Sequence, residues 1–74
     1  MIKIETRTHL HLTNRIEVKV DTKKMCYEEI GQDEAGNYYL HKSREINMGS
    51  GYGEESEYYL LDDEDLMKYG VKKR

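Results

Sequence analysis

The chain has 74 residues, 15 Asp and Glu against 12 Lys and Arg, a formal net charge of −3, one cysteine, and no Phe, Trp or Pro. That length allows one domain with a small core. The lone Cys26 excludes an internal disulfide, and the mild acidity disfavours direct binding to a nucleic-acid backbone, which needs a positive footprint.

A single cysteine fits a reducing compartment, and no apolar run approaches the ~20 residues of a membrane span or forms a signal-peptide core. The expectation is a cytoplasmic protein without a membrane segment. Charged residues make up 36% of the chain, a share compatible with disorder, but the alternating patterns below indicate a folded sheet. Few apolar side chains are available to offset the entropy of ordering. A homodimer or a tightly held partner would add the missing burial.

Residues 2–12 alternate, with Ile2, Ile4, Thr6, Thr8, Leu10 and Leu12 at even positions and Lys3, Glu5, Arg7, His9 and His11 at odd ones. Period two with β-branched residues predicts a strand with one buried face. Ile16, Val18 and Val20 continue the even rule. A three-residue loop, Thr13-Asn14-Arg15, would set Leu12 against Ile16, Leu10 against Val18 and Thr8 against Val20. The same register opposes His11 to Glu17, Arg7 to Asp21 and Glu5 to Lys23 on the wet face. Asp21–Lys24 reads as a polar turn and Met25–Gln32 as a third strand. A Glu34-Ala35-Gly36 loop with glycine in the left-handed position would pair Ile30 with Leu40, Glu28 with Lys42 and Glu29 with His41. Tyr38–Met48 is then the fourth strand.

A glycine-rich loop, Gly49-Ser50-Gly51-Tyr52-Gly53, leads to a short strand at Glu57–Leu61. Asp62 or Asp63 suits a helix N-cap, Glu64 and Asp65 suit its positive end, and Gly70 suits its C-terminal stop. The predicted fold is therefore α+β: a four- to five-stranded antiparallel sheet, two hairpins in a meander, with one short C-terminal helix. Residues 1–70 form one domain and 71–74 a basic, frayed tail.

The segment 45–67 concentrates eight acids (Glu45, Glu54, Glu55, Glu57, Asp62, Asp63, Glu64 and Asp65) and contains no Lys or Arg. Residues 1–44 carry eight Lys and Arg against seven acids, so one segment supplies the whole negative excess. Some of it has a local use, since Asp62–Asp65 serve a helix start and Glu54–Glu57 solubilise a loop. A functional use is also open: carboxylates spaced along a loop, strand and helix start imitate a row of phosphates. Glu54, Glu55, Glu57, Asp62 and Asp63 would be the electrostatic contacts. Tyr52 and Tyr58 would be the aromatic anchors, because Tyr contributes large contact area at little rotamer entropy.

Other chemistry is thinly supported. His9 and His11 have the spacing of two metal ligands on one strand face, with Glu17 or His41 as a third, but His9 would face Lys19. The glycine loop lacks the Gly-Lys-Ser/Thr ending of a phosphate loop and is flanked by acids. Cys26 sits at an inward position, away from any base, and the serines have no triad context. Nothing in the pattern separates the pKa values of a carboxylate pair, so no enzyme, metal or cofactor is expected. The alternative is a homodimeric module holding a small nucleotide or a metal near the glycine loop or His9 and His11.

The hairpin from Gln32 through Asp33-Glu34-Ala35-Gly36-Asn37-Tyr38-Tyr39-Leu40-His41 to Lys42 resembles the acid–Gly–Tyr-Tyr–Lys hairpin of the phage-encoded uracil-DNA glycosylase inhibitors. Asp65-Leu66-Met67-Lys68-Tyr69-Gly70 is similar to the helix end of those proteins. These two stretches cover under a third of the chain, and the extra N-terminal hairpin and long glycine loop depart from that family. In size and acidity the chain resembles the wider class of small phage inhibitors that includes anti-CRISPR proteins. The resemblance implies a non-enzymatic DNA mimic acting in the host cytoplasm, with a basic nucleic-acid-binding host or defence protein as its partner.

Overall fold

In the computed structural model, residues 1–6, 9–47 and 49–72 are described, the side chains of Asn47 and Tyr52 excepted. The elements are β1 (Ile2–Ile4), β2 (Thr13–Asp21), β3 (Cys26–Gln32), β4 (Tyr38–Asn47), β5 (Tyr52–Leu61) and α1 (Asp63–Lys68). They form a five-stranded sheet of order β1-β5-β4-β3-β2, with β2 to β5 an antiparallel meander and β1 antiparallel to β5. The α+β expectation thus resolves into a sheet with one short C-terminal helix. No helix among the described residues is long and apolar enough to cross a membrane.

The β3–β4 hairpin has the predicted register, with Ile30 opposite Leu40, Glu28 opposite Lys42 and Glu29 opposite His41. Gly36 takes φ +87°, a conformation that glycine adopts without steric cost. Asp33 closes the turn, accepting hydrogen bonds from the Asn37 backbone and side-chain amides at 2.9 and 3.1 Å and from the Tyr39 hydroxyl at 3.0 Å.

The predicted N-terminal hairpin is not formed. Ile2, Lys3 and Ile4 pair instead with Leu60, Tyr59 and Tyr58 at the far edge of the sheet. Residues 9–12 lie outside any strand, and Thr13-Asn14-Arg15, read as a loop, begins β2. The proposed pairings of Arg7 and Thr8 fall on residues outside those described. β1 and β2 stand at opposite edges of the sheet, and residues 9–12 form a crossing segment on the face opposite the helix, with Leu12 over Gly31 and the Leu10 amide on the Tyr58 hydroxyl.

Two irregularities in β2 explain the failed parity. Pairing slips between Thr13 and Ile16 and again between Glu17 and Lys19. Each extra residue reverses which face the following side chains occupy. Ile16 therefore shares the helix-side face with Ile30, whereas Val20 shares the opposite face with Tyr27. Far from being a dry row, Ile16, Val18 and Val20 are 46%, 38% and 53% exposed. Ile2 is also exposed, and among the described residues of the expected N-terminal core Leu12 alone is buried.

The helix-side core consists of Ile30, Tyr38, Leu40, Leu61 and Leu66, with Tyr59 and Val71 packed against it. Val71 also donates its amide to the Leu66 carbonyl at 2.9 Å, so the expected frayed tail is docked at its first residue. Lys73 and Arg74 lie outside the described residues. The helix is capped as expected. The Asp62 carboxylate accepts from the Asp65 amide at 2.8 Å, and Asp65 reciprocates toward the Asp62 amide. The fifth strand is longer than the predicted Glu57–Leu61, because β4 pairs with it from Tyr38 to Asn47 and that ladder outweighs the poor strand propensity of Gly53-Glu54-Glu55. Met48, predicted to end the fourth strand, lies outside the described residues.

Gly31 lies beneath the crossing segment. A Cβ built there would stand 2.7 Å from the Leu12 Cβ and 3.4 Å from the Thr13 carbonyl oxygen. Gly31→Ala should therefore destabilise the fold by about 1–3 kcal/mol, read as a lower urea midpoint. The exposed turn variant Ala35→Gly should change stability by well under half of that.

Candidate partner-binding surface

The alternation of β5 divides the acidic row that the sequence suggested. Ladder partners share a face, so Glu55 and Glu57 join Arg44 and Lys42 on the helix side, while Glu54 joins Glu45 on the opposite side. Glu55 accepts two hydrogen bonds from Arg44, at 2.9 and 2.6 Å. Glu57 accepts one from the Tyr59 hydroxyl at 2.6 Å and lies 3.7 Å from the Lys3 ammonium. The Tyr59 bond, aided by Lys3 and other cations, holds the Glu57 pKa below the ordinary glutamate value. These two acids are engaged within the chain.

Asp62 is the N-cap and Asp63 the first helical residue, so both lie beyond the end of β5. Tyr58, expected as an exposed anchor, is 3% exposed. Its ring stacks on His41 with centroids 4.5 Å apart, and its hydroxyl accepts from the Leu10 amide at 3.2 Å and contacts His9 Nδ1 at 3.2 Å. Buried in this way, it anchors the crossing segment. The Tyr52 side chain lies outside the described part of the structure.

The opposite face has a second, polar interior that the alternating pattern hid. His41 is buried, stacked on Tyr58 and in a perpendicular contact with Tyr27, with Nδ1 3.2 Å from Glu29 Oε1. Its Nε2 is buried without a hydrogen-bond partner among the described residues. His9 and His11 lie on the crossing segment and not in a strand, which removes the shared face their spacing implied. Among the described residues there is no group of three or more His, Cys, Asp and Glu placed to hold a metal.

Beyond His41 on this face, toward the β2–β3 turn, an open groove of about 560 Å³ lies between β2, β3, β4 and β5. Its apolar wall is Val20, Met25 and Tyr27, and its acids include Glu45 and Glu54. The turn is held to the sheet by the Glu45 amide, which donates to the Met25 carbonyl at 3.0 Å. Cys26, expected to be buried, is half-buried at this groove.

Glu45 and Glu54 are direct ladder partners, so their Cβ atoms are about 5 Å apart. Like charges so placed repel. Among the described residues, neither has a Lys or Arg within ion-pair distance. Glu54 is held in place by the buried Ser43, whose hydroxyl donates to Oε1 at 2.7 Å, and by Ser56 at 3.4 Å. The Ser43 bond is the main reason its pKa lies below the ordinary glutamate value, with His9, Ser56 and His41 assisting and desolvation opposing. Sequence reasoning included Glu54 but missed Glu45, Val20, Met25 and Tyr27. The available signal was Glu45 at the head of the acid-rich segment; the register that joins it to Tyr27 needed the structure.

A carboxyl whose folded pKa is depressed contributes stability above its unfolded pKa and loses it as pH falls through the folded value. Ser43→Ala should move the Glu54 titration, followed by carbon-13 NMR, upward toward the ordinary glutamate value. The acid limb of the stability profile should become shallower, with part of the stability at neutral pH lost. An unmoved Glu54 titration would contradict the assignment. No protein-family model, curated protein or solved structure matches the chain.

Proposed function

We propose that this chain is a non-enzymatic binding protein that occupies a basic, nucleic-acid-binding site on a partner protein, in the manner of the small phage-encoded inhibitors of host enzymes or defence systems. The observation that carries this reading is the Glu45–Glu54 pair. Two carboxylates are set opposite each other at an open groove, with no Lys or Arg of the described chain at ion-pair distance from either. Folding brings them together at an electrostatic cost, and a cationic partner would offset it.

The contact set is narrower than the full acidic row. Glu54 is retained and Glu45 joins it, whereas Glu55 and Glu57 present to the other face and are engaged by Arg44, Lys3 and Tyr59. Asp62 and Asp63 contribute to the long-range field that steers a basic partner, a contribution that salt screens.

Bead-bound chain incubated with host lysate should retain one predominant basic protein at low salt and release it at high salt. Glu45→Lys and Glu54→Lys should each weaken capture by about tenfold or more, since opposed like charges cost several kcal/mol at an interface. Each substitution relieves the like-charge pair, Glu54→Lys at the cost of the acceptor for the Ser43 hydroxyl, and circular dichroism checks that the fold is retained. Undiminished capture by both variants would refute this reading.

A further inference from the structure

The groove beside the β2–β3 turn has two halves of different chemistry. One half is Glu45 and Glu54, with Glu54 fixed by two hydroxyls. The other is apolar and exposed: Val20 at 53%, Met25 at 59% and Tyr27 at 37%. A solvated acidic face has no need of three large apolar side chains held out of the core. The groove is open and not enclosed, which suits a projecting side chain of a macromolecule better than a free metabolite, because small-molecule sites bury most of the ligand surface. Two ladder carboxylates are also too few for a hard cation, which takes six or more oxygens.

We propose, on the basis of the partner-binding reading above, that this groove receives a single arginine side chain of the partner protein. Its aliphatic stem would lie along Val20 and Met25 and its guanidinium would reach Glu45 and Glu54. Arginine fits on three counts. Its planar fork presents several N–H donors at once, matching two neighbouring carboxylates. Its weak hydration lowers the cost of entering a groove with an apolar wall. Its face also stacks on an aromatic ring, and Tyr27 is held in orientation by its edge contact with His41, at 5.6 Å and 90°. Lysine, a compact and strongly hydrated point charge, would meet the carboxylates but gain less from Tyr27 and the apolar wall. His9 lies near enough to Glu54 to lower its pKa, and the arginine would share that carboxylate with it.

The test is a nitrogen-15 NMR titration of the full chain with two blocked tripeptides, acetyl-Gly-Arg-Gly-amide and acetyl-Gly-Lys-Gly-amide. The arginine peptide should shift the amides of Val20, Met25, Tyr27, Ser43, Glu45 and Glu54 and bind about two- to fivefold tighter than the lysine peptide, the factor an exposed cation–π contact supplies. Glu45→Gln and Glu54→Gln should each abolish those shifts. Tyr27→Leu should remove the preference for arginine while leaving the carboxylate contacts, with dispersed spectra showing that each variant is folded. Equal affinity for the two peptides would overturn the arginine assignment. Shifts confined to Glu55, Glu57 or Asp63, or no shifts at all, would overturn the groove itself. None of these results decides whether a basic partner is captured, which the charge-reversal experiment reads independently.

Discussion

The contact on which the opposite face depends is the crossing of residues 9–12 over Gly31 and Tyr58. β1 and β2 stand at opposite edges of the sheet, so the chain between them must pass over the intervening strands. It can lie close only where β3 has no side chain, at Gly31 beneath Leu12, and where β5 offers a hydroxyl to the Leu10 amide, at Tyr58. Once the segment is seated, His41 and Ser43 become interior residues, and Tyr27 and Glu54 pack on them as a fixed border. The groove is the part of this face beyond that border, toward the β2–β3 turn.

The two faces of the sheet therefore solve different problems. On the helix side, apolar residues near α1 give way along the strands to a ladder of opposite charges, including Lys42 with Glu28 and Arg44 with Glu55. Such exposed pairs contribute little to stability, and they leave that face electrically balanced. On the opposite side the Glu45–Glu54 pair has no counterpart of this kind among the described residues. Charge imbalance and exposed apolar surface coincide at one place, and the proposed binding site rests on that coincidence more than on the total count of acids.

Much of the fold was legible because local signals agreed. Gly36 fixed the β3–β4 turn, alternation fixed its register, and Asp62 with Asp65 marked the helix start. The N-terminal third was misread because its alternation was clean and misleading: Leu12 is buried against a glycine on the opposite face, and the two slips in β2 send Ile16 and Val20 to different faces. A slip leaves no mark in a period-two pattern. The acidic segment was recognised as unusual, but Gly53-Glu54-Glu55 reads as loop, and only a strand separates Glu54 from Glu55. Tyr58 illustrates the same limit, since one position decides whether a tyrosine is an anchor for a partner or for the chain itself.

In the proposed function, Glu45 and Glu54 stand in for a polynucleotide. Its most direct measurement is a competition: a partner captured through Glu45 and Glu54 is loaded with fluorescent single-stranded nucleic acid and titrated with this chain, following anisotropy. Stoichiometric displacement, lost in the charge-reversed variants and weakened by salt, is the predicted result. A ternary complex, in which partner, nucleic acid and this chain coexist at saturation, would contradict it.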